Sequence, residues 1–303
     1  MKIGLAGTGK MGSAITKRLL GLGHAVTVWN RTATRAQPLL DMGGAWADSP
    51  QSLIPKADVV ITMLTDEAAL DEVYFGAGGL WMGADKSSLA GKLFVDMSTV
   101  RPAKQQAMGE RAVAAGAAYL ECPVGGSVGP ASEGKLMGFV GGDAAMAELA
   151  RPLLDQLCKR VEYVGALGAG ATMKLAINLP LMVYWQTLGE ALSLIQPLGI
   201  DPKRVIDIFT DTSGGPNMLK VRGGMISEAL SGVASSQVTV NVATMRKDVK
   251  AMLEQGALSH MNMPVTSVAL EKFDAVAKAG LDASDCTQLL VWWLEQGAKE
   301  GGK

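Results

Sequence analysis

Short apolar runs alternate with amphipathic stretches along the first half of the chain. Lys2-Ile3-Gly4-Leu5-Ala6 and Ala25-Val26-Thr27-Val28-Trp29 read as strands, and between them Ile15, Leu19, Leu20 and Leu22 recur among Lys17 and Arg18 as on a helix. Val59-Val60-Ile61-Thr62-Met63 is apolar almost throughout, as a parallel strand covered on both faces must be. The alternation goes on through a strand at Leu93 to Asp96 and a helix from Pro102 to Ala114. Strands at Tyr119 to Glu121 and Leu136 to Val140 flank a glycine-rich loop, a helix runs from Asp143 to Leu157, and a short strand spans Arg160 to Val164. Asp48-Ser49-Pro50 reads as a helix start with proline in the first turn. The pattern predicts an α/β domain over residues 1–164, with a doubly wound, mostly parallel sheet.

After Gly165 only the helical period remains, which predicts an all-α domain over residues 165–303. Its first segment, Ala171 to about Pro197, has no charge between Lys174 and Glu190. That stretch is shorter than the ~18 residues a membrane span needs, and Asn178, Pro180 and Gln186 interrupt it. A helix apolar nearly all round is buried, so this one is expected to form the spine of the second domain, kinked near Pro180, with a face for another subunit. Further helices are expected over Pro202 to Thr210, Pro216 to Leu230, Val240 to Gln255, Pro264 to Ala279 and Ser284 to Gln296, before a polar tail, Gly297 to Lys303, expected to fray.

The turn between the first strand and the first helix is Gly7-Thr8-Gly9-Lys10-Met11-Gly12. A G-x-G-x-x-G turn alone is a weak signal, and a structural glycine turn is its plain alternative. Set between a strand and a helix and followed by a second strand, it predicts a Rossmann-type dinucleotide site, in which the helix N-terminus holds the phosphates. Where an acidic residue would accept the ribose 2′-hydroxyl of NAD, the second strand ends in Asn30-Arg31-Thr32. A guanidinium binds a 2′-phosphate bidentately and a carboxylate repels it, so the expected cofactor is NADP(H). The alternative is a surface turn with a solvated arginine.

Composition narrows the partners. With 303 residues, net charge −1 and no basic run, the chain suits two domains and a small-molecule substrate, with neither nucleic acid nor a membrane surface as partner. Two histidines and three scattered cysteines supply neither a metal cluster nor a disulfide framework. Met1 leading directly into a strand adds to the expectation of a cytoplasmic protein. His24, in a turn between helix and strand, reads as a surface residue.

Three stretches carry candidate chemistry. Asp96-Met97-Ser98-Thr99 follows a strand directly, so the hydroxyls of Ser98 and Thr99 can reach ribose, nicotinamide or a substrate acid, or the stretch can cap the helix at Pro102. Pro123-Val124-Gly125-Gly126-Ser127 offers backbone N–H groups to a carboxylate, or is a flexible loop. In Gly168 to Asn178, Lys174 and Asn178 share a helical face. An ammonium there can give a proton to a carbonyl oxygen as hydride arrives, with Asn178 orienting it; a lysine snorkelling from a helix start is the alternative.

These motifs together resemble the β-hydroxyacid dehydrogenase family, which includes 3-hydroxyisobutyrate dehydrogenases and glyoxylate/succinic semialdehyde reductases. The resemblance spans nearly the whole chain and includes Lys247-Asp248. It implies that Lys174 is the catalytic lysine with Asn178 its partner, and that Met63, Leu64 and Thr65 lie on the ribose side. Thr99 would meet the nicotinamide end, Lys247 the cofactor, and Asp248 the active site. Gly125 stands where the family has a serine that helps bind the substrate acid, and Val240 where it often has an aromatic residue. Gly126-Ser127 and Pro130-Ala131 resemble the semialdehyde-reductase branch. The implied activity is NADP(H)-dependent interconversion of a small aldehyde or keto acid with its hydroxy acid, in a homodimer or homotetramer. The alternatives are an imine reductase, a group that generally lacks the lysine, and a non-catalytic NADPH-binding scaffold.

Overall fold

The computed structural model describes residues 1–84, 86–233 and 238–300, so the end of the polar tail, residues 301–303, lies outside the described residues. The chain divides into two compact units, Met1–Leu175 and Ala176–Lys303. The division falls inside the helix Ala169–Ile195.

The first unit is built on nine strands: β1 (Lys2–Ala6), β2 (Ala25–Trp29), β3 (Ala45–Trp46), β4 (Val59–Thr62), β5 (Leu93–Asp96), β6 (Ala118–Glu121), β7 (Val124–Gly125), β8 (Leu136–Gly141) and β9 (Cys158–Gly165). Their order is β3-β2-β1-β4-β5-β6-β8-β7, with β9 beside β8. From β3 to β6 all pairs are parallel; β8 runs antiparallel to β6 and β7, and β9 parallel to β8. The sheet is the mostly parallel, Rossmann-type one that the alternation predicts.

Period-two alternation divides its side chains between two cores. Ile3, Leu5, Ile61, Val95 and Leu120 join one buried cluster with Ile15 and Leu19 of the helix Lys10–Gly21. Val60, Phe94 and Tyr119, each next in sequence to a member of the first cluster, join Leu53, Tyr74 and Trp81 in the other. Because β2 lies on one side of β1 and β4 on the other, the strand order reverses between β1 and β4, where ligands bind in such sheets.

Three elements differ from expectation. The stretch after Pro50 forms the 3-10 helix Gln51–Lys56, started by Ser49, whose Oγ accepts the Ser52 N–H at 3.2 Å; Pro55 inside it has no N–H to extend an α-helix. The helix Glu67–Phe75 has no counterpart in the sequence reading, and Asp66 caps it, accepting the Ala69 N–H at 2.8 Å. The last helix begins at Gln288, not Ser284, because Asp285 bridges to Asn241 and its carboxylate accepts from the Thr239 and Thr287 N–H groups at 2.6 and 3.1 Å.

In the second unit the helices Pro202–Thr210 and Asn217–Leu230 meet at Gly223, where a Cβ would crowd Ile206. Gly189 lies against the Trp293 indole, whose N–H donates to Gln186 Oε1 at 2.9 Å. The remaining helices are Val242–Leu258 and Pro264–Val276.

Candidate active site

At the end of β1 the chain turns through Gly7 at φ 103°, a conformation open to glycine at little cost. A Cβ there would strike the Met63 carbonyl oxygen after β4, and one on Gly12 would strike the Gly7 carbonyl oxygen. Around Gly9, by contrast, a Cβ would meet nothing within 4 Å. Gly9 is exposed, and the helix it opens has neither an acidic residue in its first turn nor a side-chain cap. Free N–H groups at the positive end of a helix dipole, beside an open backbone, form an anion cradle. The buried Thr8 hydroxyl, without a partner among the described residues, adds a further donor beside it. A dinucleotide's pyrophosphate fits these features.

Asn30 ties this turn to the end of β2. Its Oδ1 accepts the Thr8 N–H at 2.9 Å, and its Nδ2 donates to the Thr32 carbonyl at 2.9 Å. The sequence reading offers this amide to a cofactor, whereas the structure engages it in holding the two loops together. Arg31 and Thr32 are both exposed, as are Lys10 and Thr65, while Met11, Met63 and Leu64 are half-buried.

A second assembly joins the ends of β4 and β5. Asp96 is wholly enclosed, and its Oδ1 accepts from Thr62 Oγ1 and Ser98 Oγ, each at 2.7 Å. Its Oδ2 accepts from Gln105 Nε2 at 2.6 Å, and Gln105 in turn accepts from the Tyr119 hydroxyl at 2.6 Å. Burial raises the Asp96 carboxyl above its ordinary value. Ser98, read as reaching a ligand, is fully buried, its hydroxyl donating to Asp96 and accepting the Leu64 N–H at 2.9 Å. It therefore fixes the loop after β4. Thr99 is half-buried. The helix Pro102–Ala115 is preceded by Arg101, so Asp96 joins it through Gln105 rather than as its cap.

The third assembly lies at the end of β6. Glu121 is fully buried, and its carboxylate accepts the N–H groups of Gly168, Gly170 and Ala171 at 2.6, 2.9 and 3.0 Å. These amides form the N-terminus of the helix Ala169–Ile195, which carries Lys174 and Asn178 one turn apart. Lys174 is 9 % exposed. Sequence reasoning took Glu121 for a strand residue; the signal it carries is a carboxylate inside an apolar strand, matched to a glycine-rich helix start. Next to it, Gly125 is half-buried and Gly126 and Ser127 are exposed. A Cβ on Gly125 would sit in ordinary contact with the Phe139 ring at 3.6 Å.

In the second unit, Asn241 caps the helix Val242–Leu258, its Oδ1 accepting the Thr244 N–H at 2.9 Å. Lys247 and the buried Asp248 form an ion pair at 3.0 Å, and Arg246 fixes the same turn through Asp282 at 3.0 Å. Val240 is half-buried, and its carbonyl accepts the Cys286 N–H at 2.9 Å. Among the described residues no group of three or more His, Cys, Asp or Glu side chains is arranged to hold a metal ion, and no helix is long and apolar enough to cross a membrane.

Comparison with known proteins agrees with this geometry. Residues 2–165 match the NAD binding domain of 6-phosphogluconate dehydrogenase, and residues 168–293 the NAD-binding family of NADP-dependent 3-hydroxyisobutyrate dehydrogenase. Glyoxylate/succinic semialdehyde reductase 1 of Arabidopsis thaliana is 31% identical over 96% of this chain and 97% of its own length. The 2-hydroxy-3-oxopropionate reductase of Escherichia coli (strain K12) is 30% identical over 96% and 97%. Among solved structures, Psf3 in complex with NADP+ and 2-OPP superposes with a TM-score of 0.84 at 30% identity, over 95% of this chain and 99% of that one.

Proposed function

The chain belongs to the β-hydroxyacid dehydrogenase family, and from that premise we propose that it transfers hydride between NADPH and a small aldehyde or keto acid, or the matching hydroxy acid. Glyoxylate and succinic semialdehyde are the substrate types this reading favours, since its relatives include a reductase of both. In this reading Gly9 and the first turn of the helix Lys10–Gly21 hold the pyrophosphate, and Arg31 and Thr32 the 2′-phosphate. Met63 to Thr65 and Thr99 line the ribose and nicotinamide, and Lys247 binds the cofactor as the family resemblance implies. When bound, NADPH supplies the hydride.

The observation that carries the proposal is Lys174, an ammonium reduced to 9 % exposure on a helix whose start is fastened by three hydrogen bonds. As hydride reaches the carbonyl carbon, negative charge grows on its oxygen. Lys174 Nζ donates a proton to that oxygen and recovers one from solvent, with Asn178 orienting the ammonium. The N–H groups of Gly125, Gly126 and Ser127 bind the acid group, Asp248 and Val240 complete the substrate's surroundings, and Ser98 acts by holding Leu64. We place the enzyme in the cytoplasm as a homodimer or homotetramer; its three cysteines are free and buried, the state a reducing compartment preserves.

The test is NADPH consumption against aldehydes, 2-keto acids and cyclic imines, by wild type and Lys174→Ala. We expect turnover of the small carbonyl acids. The variant should lose about 10²–10⁴-fold in kcat, with NADPH affinity and Tm near wild type. Lys174→Arg should also be poor, since a guanidinium does not readily give up a proton. Full activity of the alanine variant on a carbonyl, or preference for cyclic imines, overturns the assignment. Tight NADPH binding with no turnover of any compound would indicate a scaffold.

A further inference from the structure

Glu121 is a buried carboxylate that the chemistry above does not use. It closes β6, and its two oxygens accept three backbone N–H groups, those of Gly168, Gly170 and Ala171. The glycines around it are shaped to it. A Cβ on Gly141 would strike its carboxyl oxygen, and one on Gly170 would strike the Phe139 carbonyl oxygen while crowding the Glu121 side chain. The first N–H groups of a helix have no partner within the helix, and a carboxylate at the positive end of the dipole both satisfies and attracts them. Here the helix so fastened carries Lys174 one turn beyond the last clasped amide.

Resting on the proposed role of Lys174, we propose that Glu121 is a positioning residue for catalysis: its carboxylate clasp sets where the first turns of the Lys174 helix stand against the edge of the sheet. The groups that face Glu121 are Asp96 on β5, Tyr119 and Cys122 on its own strand, and only glycine and backbone from β8 and the helix start. Lys174 is the nearest cation along the clasped helix. Burial, reinforced by the Asp96 charge and opposed by the three amides, pushes the Glu121 carboxyl up to about 7. Protonation places a hydrogen on an oxygen that faces an N–H donor, so the clasp loosens as pH falls through that value.

Stability runs the other way. The folded carboxyl, at about 7, stands above its unfolded value, so its proton-linked stability is present at low pH and is lost as pH rises through about 7. Activity and stability therefore move in opposite directions with pH if Glu121 positions the lysine. A purely structural role would move them together.

The experiment compares wild type with Glu121→Gln, a nearly isosteric change that turns one acceptor into a donor facing an amide. We expect kcat to fall about 10- to 100-fold, the loss that misplacement of a reacting group by about 1 Å brings, with KM for NADPH little changed. The wild-type kcat should show an acid limb near neutrality that the variant lacks, while the Tm difference between wild type and variant grows in favour of wild type as pH is lowered. Hydrogen exchange in the cofactor-free protein gives an independent reading. Protection of the Gly168, Gly170 and Ala171 amides should drop in the variant, and in wild type as pH falls through the same range, so the test stands even if the variant does not fold. Wild-type kcat with lost amide protection, or no change in protection at all, overturns the proposal. If Lys174→Ala retains activity, the catalytic reading fails instead, whatever Glu121 does.

Discussion

Arg31 follows β2 directly and is exposed, while Asn30 before it is engaged with Thr8 and Thr32, so recognition of a 2′-phosphate falls to the guanidinium. Arg31→Ala should weaken NADPH binding by about 1.5–3 kcal/mol, roughly ten- to a hundred-fold, and leave NADH nearly unaffected; titration with both cofactors checks it, and equal losses would reject the assignment. Gly125 offers a second single-residue test. A Cβ there would sit 3.6 Å from the Phe139 ring and 3.7 Å from Met137 Cβ, both ordinary contacts, so Gly125→Ser restores the family's hydroxyl without strain. The expected result is an unchanged Tm and a lower KM for substrates with an acid group, by up to about ten-fold for one added hydrogen bond to a charge. An unchanged KM would place the acid group elsewhere. At this scale the sequence reveals residues whose chemistry is local. The glycine turn was legible because each glycine answers to a neighbour a few positions away, as Gly12 does to Gly7. Glu121 and the Asp96–Gln105–Tyr119 chain were not, because their partners come from strands and turns distant in sequence.

Elements announced themselves in proportion to how much of their stability is intrinsic. β1, β2 and β5 fall where the apolar runs place them, and the helix Ala144–Leu157 starts one residue after Asp143, which caps it by accepting the Met146 N–H at 3.0 Å. The two-residue strands β3 and β7 carry no period and exist through their pairing with β2 and β8. The last helix starts late for the same kind of reason: Asp285 has a better use, fastening Thr239 and Thr287, than as part of a first turn. A prediction belongs to the helix Val242–Leu258, which presents Lys247 and Asp248. Asn241 starts it by accepting both the Thr244 N–H at 2.9 Å and the Thr244 hydroxyl at 2.6 Å. Removing an asparagine cap typically costs about 1 kcal/mol, so Asn241→Ala should lower the urea midpoint by that amount. If Lys247 binds cofactor, the same variant should weaken NADPH binding while Arg31 is intact. A stability loss with unaltered NADPH affinity would separate this helix from the cofactor.

For the whole molecule, the long helix poses a question that one chain does not answer. Its buried positions, among them Leu175, Met182, Trp185, Leu188 and Leu192, recur at helical spacing and account for one stripe. Other apolar positions on the same helix stay exposed: Met173 at 40 %, Ile177 at 44 % and Leu194 at 82 %, with Leu198 just beyond its end at 66 %. Between Lys174 and Glu190 no charge interrupts the segment. The sequence shows this much, since a helix without charges on any face cannot be solvated on one of them. It does not show what covers the remainder, because that depends on a surface outside the chain's own core. Burying apolar area contributes about 25 cal/mol per Å², and a symmetric pair of identical faces buries each exposed side chain twice, once from each copy. We therefore expect a dimer, or a tetramer built from it, through this helix. Light scattering at micromolar concentration should give at least twice the chain mass of 31.6 kDa. Substituting the two most exposed positions, as Leu194→Glu with Leu198→Glu, should shift the species toward monomer, since two like charges would face their copies in an apolar contact. A monodisperse monomer for the wild type would mean that these side chains are simply solvated. A dimer unmoved by the double substitution would place the interface on another face.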